Sequence, residues 1–426
     1  MRREVLSHDR ITWQEVSHRR VWDLCANRVV PHWVLPETEY MFGRPTVLGI
    51  SHAWVDVTDR VNLMTPINRY EWPVPMPKDA NLDLIRIKML NFDTEYAWLD
   101  VLCLRQEGGK GEHLHLDEWK LDVPTIGVVY RGEAVVCYFN GLGRTLHLMP
   151  DYFESDRCWF QRAWTLQEIT KYTIVAGETG DKVMEKAVRK RFDERLACLR
   201  EIIERDFSLE VAAEMQNRVS SKSLDKVAGL AYLLNLHYIP LYDVEMSDVD
   251  AWEVLIDIMV PGRRAEFFFY FPEPGNGRKY WRPSWQQIMS MKQFLPYASF
   301  WAGYVEHGDT DEDWYEGWCI DSADVQGLDD RLKKGEPRQG TMIFKNCFGI
   351  SHTFKICADH MFPIPDGSYA LIGVNDWSST YPLNLWVVGR LKEDRKFQKL
   401  SVFRFTDDEE ENLRKLNLKI VKNFLC

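Results

Sequence analysis

The chain has 426 residues, 45 % of them hydrophobic and 27 % charged, enough apolar material for a large core and outside the low-hydrophobicity disordered class. A formal net charge of −11 argues against a whole-protein electrostatic grip on nucleic acid or an anionic membrane. Nine scattered cysteines without a CxxC pair, a start that lacks the apolar run of a secretory signal, and no stretch long and apolar enough to span a bilayer lead us to expect a cytoplasmic protein with reduced thiols.

In chain order, residues 1–44 read as an ordered N-terminal arm in which Pro31 and Pro36 stop regular structure. The run PTVLGISHAW, Pro45 to Trp54, has the look of a buried strand emptying into a loop. Asn81 to Phe92 fits both periods and is expected to be helical on length. Tyr96 to Leu104, YAWLDVLCL, reads as a second buried strand, followed by the loop EGGKGEHLHLDE. Trp119 to Val129 is expected to be helical despite Pro124. Ala134 to Phe139 is a third strand closed by NGLG, and Asp156 can cap a helix over RCWFQRAWTLQEITKY before a fourth strand, TIVAG. This alternation over 45–178 predicts an α/β unit with a mainly parallel sheet and flanking helices. A helical connecting region follows over 179–262. A β-rich region is expected over 263–426, from the runs EFFFYF, TMIFKNCF, SHTFKICA, YALIGV, LWVVGR and KLSVFRF. The tail DDEEENLRKLNLKIVKNF reads as a helix whose acidic start suits the helix dipole.

Three blocks carry a resemblance to a known family. Ile50-Ser51-His52-Ala53-Trp54 is similar to the opening block of the fungal heterokaryon-incompatibility (HET) domain. The run from Ala97 through Trp98, Asp100 and Cys103 to Gln106 resembles its second block. The run from Cys158 through Trp159, Arg162, Trp164 and Gln167 to Glu168 resembles its third. The blocks span roughly 45–178. Asp225 to Leu230 and Trp281-Arg282-Pro283-Ser284-Trp285 look like strings that follow such domains in mushroom-type fungi. HET domains in turn resemble Toll/interleukin-receptor (TIR) domains, which implies a TIR/flavodoxin-like fold. In the NAD-cleaving TIR branch a glutamate following a tryptophan is catalytic, and the matching position here is Glu168. The resemblance therefore implies a cell-death effector of fungal innate immunity, with NAD as substrate and no bound cofactor. It also implies homo-oligomerisation through the HET domain and an unidentified protein partner for the C-terminal region. A non-enzymatic signalling and assembly module is the alternative.

On an α-helix Trp164 and Glu168 would share a face, and a carboxylate beside an indole could stabilise an oxocarbenium-like centre. The alternative is that Glu168 is a surface or ion-paired helix residue. Ser51, His52 and Trp54 stand where the first strand leaves the sheet, with Asp100 and Gln106 on the same edge, where open α/β sheets bind ligands. His52 and Asp100 fit either a substrate site or a buried polar network. A Ser-His-Asp triad lacks the GxSxG elbow that would order it. Arg162 could grip a phosphate or carboxylate, or bridge to an acid such as Asp100, which we favour. Trp159 and Leu166 lie at core spacing. Cys347, His352, Cys357 and His360 match no zinc ribbon or finger pattern, and buried small hydrophobes are the plainer reading of the two thiols, so no metal site is assigned.

Overall fold

Six short apolar runs form the strands of the N-terminal sheet: β1 (Arg20–Asp23), β2 (Arg28–Pro31), β3 (Val47–His52), β4 (Tyr96–Leu99), β5 (Val135–Tyr138) and β6 (Thr173–Val175). The computed structural model describes the chain apart from residues 1–5, 8–9, 13–15, 36–46, 132–133, 180–184, 235, 296–301, 330–336, 347, 376–384, 407–408, 410–411, 414–415 and 417. The architecture is mixed α/β with several sheets. It divides into two compact units, one of residues 1–206 and 217–251, the other of residues 207–216 and 252–426.

In the first unit the sheet order is β6-β5-β3-β4-β1-β2. β4, β3, β5 and β6 run parallel, and β1 is antiparallel to both β4 and β2. β5 is buried throughout, and β3 along all but its first residue, as expected of parallel strands covered on two faces. The helix Leu82–Leu90 lies on the crossover from β3 to β4, with the Asn81 side chain accepting from the N–H groups of Asp83 and Leu84. Three expectations need correction here. Part of the N-terminal arm is not separate, because β1 and β2 form a hairpin that extends the sheet through Trp22 opposite Ala97. The second strand stops at Leu99, and Asp100–Cys103 is a helical turn. The helix expected over Trp119–Val129 is two pieces, His115–Asp122 and Gly127–Tyr130, parted around Pro124, whose ring and missing N–H break the ladder.

The second unit is β-rich. Its strands are β7 (Val305–His307), β8 (Asp313–Gln326), β9 (Arg338–Lys345), β10 (Ser351–Ala358), β11 (Gly367–Gly373), β12 (Leu385–Leu391), β13 (Phe397–Phe405) and β14 (Lys419–Leu425). The antiparallel ladder runs β8-β9-β10-β13-β12-β11 and returns to β8, so it closes on itself. Closure removes the exposed edges that an open sheet would present. β8 is long enough to pair with β7, β9, β11 and β14 along its length, and a register shift between Ile320 and Ala323 bends it. Val325, Met342, Phe354, Ile356, Leu371, Val388 and Phe403 belong to the core cluster of this sheet. The tail is corrected in part: Lys419–Leu425 is a strand paired with Asp313–Cys319, because its apolar residues complete that sheet. Most of 407–417 lies outside the described residues.

EFFFYF is also not a strand. It belongs to the helix Pro261–Tyr270, which starts on a proline in its first turn. Phe267, Phe268, Phe269, Tyr270 and Phe271 are all fully buried, so their apolar area is satisfied in a helix that propensity alone would not choose. The end of this helix is held by Lys399 of β13, whose Nζ donates to the carbonyls of Phe267 (3.1 Å) and Phe271 (2.5 Å). Burial pushes the Lys399 ammonium well below the ordinary lysine range. The WRPSW string is structural as well. Trp281 Nε1 donates to Asp313 (2.8 Å), Arg282 bridges Asp257 and Glu253 (2.5 Å each), and Ser284 caps the helix Trp285–Ser290 with Gln287 in a capping box.

Lys399→Met keeps most of the volume but leaves two helix-end carbonyls without this donor. Chemical denaturation should show a loss of about 1–3 kcal/mol, whereas an unchanged midpoint would contradict the capping role.

Candidate active site

β3 carries the first two site residues out of the sheet. Its apolar stretch is held between β4 and β5, so Ser51 and His52 emerge where the chain connections turn to opposite sides. That crevice at the carboxyl ends of parallel strands is the usual ligand position in open α/β sheets. Ser51 is 1 % exposed and His52 7 %. Asp100 follows β4 directly, and its Oδ1 accepts from the Val101 N–H at 2.7 Å, which fixes the carboxylate at the strand end.

The segment that brings Glu168 to this edge differs from the expected helix. It consists of two 3₁₀ turns, Trp159–Gln161 and Trp164–Glu168, separated by an extended Arg162. The cause is a competing backbone partner. Val219 N–H donates to Gln161 O (2.5 Å) and Ala163 N–H donates to Val219 O (2.9 Å), which takes the chain out of a helical ladder. Arg218, 1 % exposed, locks the break by donating to Arg162 O (2.7 Å) and Thr165 Oγ1 (3.0 Å). In a 3₁₀ turn, side chains three apart eclipse and those four apart diverge. The shared face expected for Trp164 and Glu168 is therefore corrected: the Trp164 ring lies 6.2 Å from that of Tyr242. Tyr242 in turn donates to Asp225 (2.6 Å).

The indole that reaches the site is Trp159, which its core spacing marks only as a packing residue. It is fully buried, and its Nε1 donates to Ser51 Oγ at 2.7 Å. An indole N–H can only donate, so the Ser51 oxygen accepts there and its own proton points to Glu168 Oε2, with which it is hydrogen-bonded. The available signal was chemical: a buried tryptophan N–H has to find an acceptor. His52 has separate partners. Its Nε2 lies 2.9 Å from Asp100 Oδ1 and its Nδ1 3.2 Å from Ala53 O. Both partners are acceptors, which suits an imidazolium beside a carboxylate. Ser51, His52 and Asp100 thus form no Ser-His-Asp relay.

The charges follow from these contacts. Burial pushes Glu168 up to about 7, with the Asp100 charge adding and Ser51, His52 and Arg162 opposing. Burial works against the His52 cation, but the Asp100 carboxylate outweighs it and holds His52 above its ordinary value. Burial likewise works against the Asp100 anion, and His52 with the Val101 N–H keeps it low. Glu168 and Asp100 are half-buried, so the constellation is reachable from solvent.

Around this centre, Trp54 stacks on His52 (5.8 Å between ring centroids, 28° between planes). Arg162 lies over the Trp54 ring at 5.7 Å; it feels Asp100 and Glu168 electrostatically, but no hydrogen bond or ion pair joins its guanidinium to Asp100. The preferred Arg162–Asp100 bridge is thus corrected, because Asp100 is taken by His52. Gln106 donates to Leu104 O (3.1 Å) and Asp100 O (3.5 Å), so its amide holds the loop after β4. Of the eight candidates, Ser51, His52, Asp100 and Glu168 meet at one edge, with Trp54 and Arg162 beside them. Gln106 supports that edge, and Trp164 faces Tyr242.

The three described members of the cysteine and histidine set, His352, Cys357 and His360, each have other partners. Cys347 lies outside the described residues. His360 donates through Nε2 to Val402 O (2.7 Å), accepts the Phe362 N–H at Nδ1 (3.2 Å), and is pushed down to about 4 by burial. Cys357 Sγ donates to Asp359 (3.3 Å). His352 is paired with Asn346 (3.1 Å). Asp257, His307 and Asp311 do bring ligand atoms within 4.8 Å of one another, but Arg282 holds Asp257 (2.5 Å) and Lys279 holds Asp311 (2.9 Å). Among the described residues no helix is long and apolar enough to cross a membrane. No known family model, curated protein or solved structure matches the chain.

The Glu168 carboxyl sits at about 7 when folded and returns to an ordinary 4.5 when unfolded. Between these values the folded chain holds the proton more tightly, so this group's contribution to stability falls as pH rises from about 4.5 to about 7. The neighbouring pair acts at other limits. His52 stabilises below 6.5 and loses this as pH rises through its higher folded value. Asp100 stabilises above 3.8 and loses this as pH falls through its lower folded value. Glu168→Gln removes the first slope and leaves in place the Asp100 contact, the larger charge acting on His52. The wild-type minus variant difference in unfolding free energy should therefore fall by roughly 1–2 kcal/mol across that window, discounted for solvent at a half-buried group. A flat difference curve would contradict the raised carboxyl.

Proposed function

We propose that residues 45–178 form a HET domain related to the TIR family, in a heterokaryon-incompatibility or cell-death effector that cleaves NAD at the nicotinamide–ribose bond. The observation that carries this reading is a half-buried Glu168 carboxyl near 7, aimed by Ser51 and Trp159 at the carboxyl edge of β3. The strand order supports the flavodoxin-like part: in chain order the parallel strands lie second, first, third, fourth across the sheet.

The chemistry needs one carboxylate and a dry edge. The bond between ribose C1′ and the nicotinamide nitrogen breaks with its electron pair leaving on nicotinamide, which departs neutral and needs no general acid. Ionised Glu168 stabilises the cationic ribosyl centre. Water then attacks C1′ and gives up a proton, and a carboxylate with a value near 7 is suited to accept it. Asp100 is committed to His52, so its role is to hold the edge rather than to supply the second carboxylate of a glycosidase pair. Assembly through the HET domain, and a protein partner for the β-rich part, belong to the same proposal.

Nicotinamide release by the assembled protein should rise with pH through about 7 as Glu168 ionises. Glu168→Gln should lower it by roughly 10²–10⁴-fold while the fold is kept. Asp100→Asn should weaken release partly and cost about 1–3 kcal/mol of stability, because His52 loses its charged partner. Equal cleavage by wild type and Glu168→Gln overturns the proposal. Absence of cleavage in every assembly state moves the reading to a non-enzymatic assembly module.

A further inference from the structure

Buried and half-buried arginines in the first unit generally have an acidic or carbonyl partner. Arg20 pairs with Glu118 (2.8 Å), Arg105 with Glu71 (3.2 Å) and Glu118 (3.3 Å), and Arg144 with Asp59 (2.5 Å) and Asp79 (2.8 Å). Two at the rim of the Glu168 site do not. Arg60 and Arg162 are both half-buried, and among the described residues neither guanidinium makes a hydrogen bond or an ion pair. Both instead lie over one indole, Trp54, at 5.2 and 5.7 Å from its centroid. The imidazole of His52 stacks on the same ring.

This arrangement concentrates positive charge without neutralising it. The acids whose charge reaches Arg162 are Glu168, Asp100 and Asp225, of which Asp100 is taken by His52 and Asp225 by the Tyr242 hydroxyl (2.6 Å); close to Arg60 in sequence, Asp56 is taken by Arg157 (2.9 Å) and Asp59 by Arg144. Glu168 is held by the Ser51 hydroxyl rather than by a cation, and burial holds part of it protonated near neutral pH. Withdrawing two guanidinium groups partly from water without a partner is unfavourable unless an incoming anion completes them. The planar fork of each group matches phosphate oxygens bidentately, and Trp54 fixes the direction of both forks.

We propose that Arg60 and Arg162, oriented by Trp54, form a subsite for the diphosphate of a ribosyl nucleotide next to Glu168. The phosphate part stands on the two arginines alone; the ribosyl part rests on the glycohydrolase reading. The subsite would place the diphosphate at the rim and the ribose toward Ser51 and Glu168, so that binding away from the breaking bond positions it.

The test is equilibrium binding of ADP-ribose and, separately, inorganic pyrophosphate to the full-length protein at two salt concentrations. Wild type should bind both, more weakly at high salt. Arg60→Gln with Arg162→Gln should weaken both by at least about tenfold, and Arg60→Lys with Arg162→Lys should fall between, because charge is kept and the fork is lost. Removing either side chain leaves no buried partner unsatisfied, so the melting temperature should hold. The lysine pair supplies the comparison should the glutamine pair unfold. Equal ADP-ribose binding by wild type and variants, or no binding of either probe to wild type, overturns the subsite. The two proposals fail separately. Arginine-dependent pyrophosphate binding without NAD cleavage retains the subsite and removes the glycohydrolase. Cleavage with an unchanged KM in the arginine variants does the reverse.

Discussion

The site depends on one directional constraint, the buried indole N–H of Trp159. Because that group can only donate, Ser51 accepts from it, and toward the ionised Glu168, which can only accept, the Ser51 hydroxyl donates. Without it the serine could turn to any acceptor at the strand end. With it, one proton direction runs from a fully buried ring, through the end of a buried strand, to a half-buried carboxyl. The rest of the edge is arranged around this line. His52 and Asp100 neutralise each other beside it, and Arg162 remains outside the pair.

The constraint holds only if the short segment carrying Trp159 and Glu168 is rigid, and two 3₁₀ turns are poor at that alone. The rigidity comes from residues far along the chain. Val219 pairs with the backbone on both sides of Arg162, Arg218 donates into the break, and Tyr242 and Asp225 stand behind Trp164. Residues 217–251 thus belong to the same compact unit as the strands that carry the site. A 3₁₀ turn held this way turns Trp164 and Glu168 apart, and so makes Trp159 the indole of the site.

Much of the framework was legible in the sequence because its signals are local. The strands at Val47–His52, Val135–Tyr138 and Thr173–Val175 and the helix at Leu82–Leu90 follow from apolar runs, turn residues and a capping asparagine. The gathering of Ser51, His52 and Asp100 at one edge was also within reach, because parallel strands put their carboxyl ends together, whereas Glu168 joined them only through the family resemblance. What escaped was set by distant partners. EFFFYF is a helix because the surrounding core buries every face of it, and KIVKNFL is a strand because β8 offers it a neighbour. The broken helix before Glu168 depends on Val219, more than fifty residues away, and no local period records that. The free Arg162 escaped for a related reason: its expected acid had already been taken by His52.

The proposed chemistry requires the Glu168 carboxyl to lose its proton near neutrality. Its direct test is the pH dependence of the protonated-carboxyl infrared band, taken as wild type minus Glu168→Gln. That band should disappear with a midpoint near 7, moving higher when Ser51→Ala removes the hydroxyl that now favours the ionised form. A band that vanishes near the ordinary 4.5, or one that Ser51→Ala leaves in place, would contradict it.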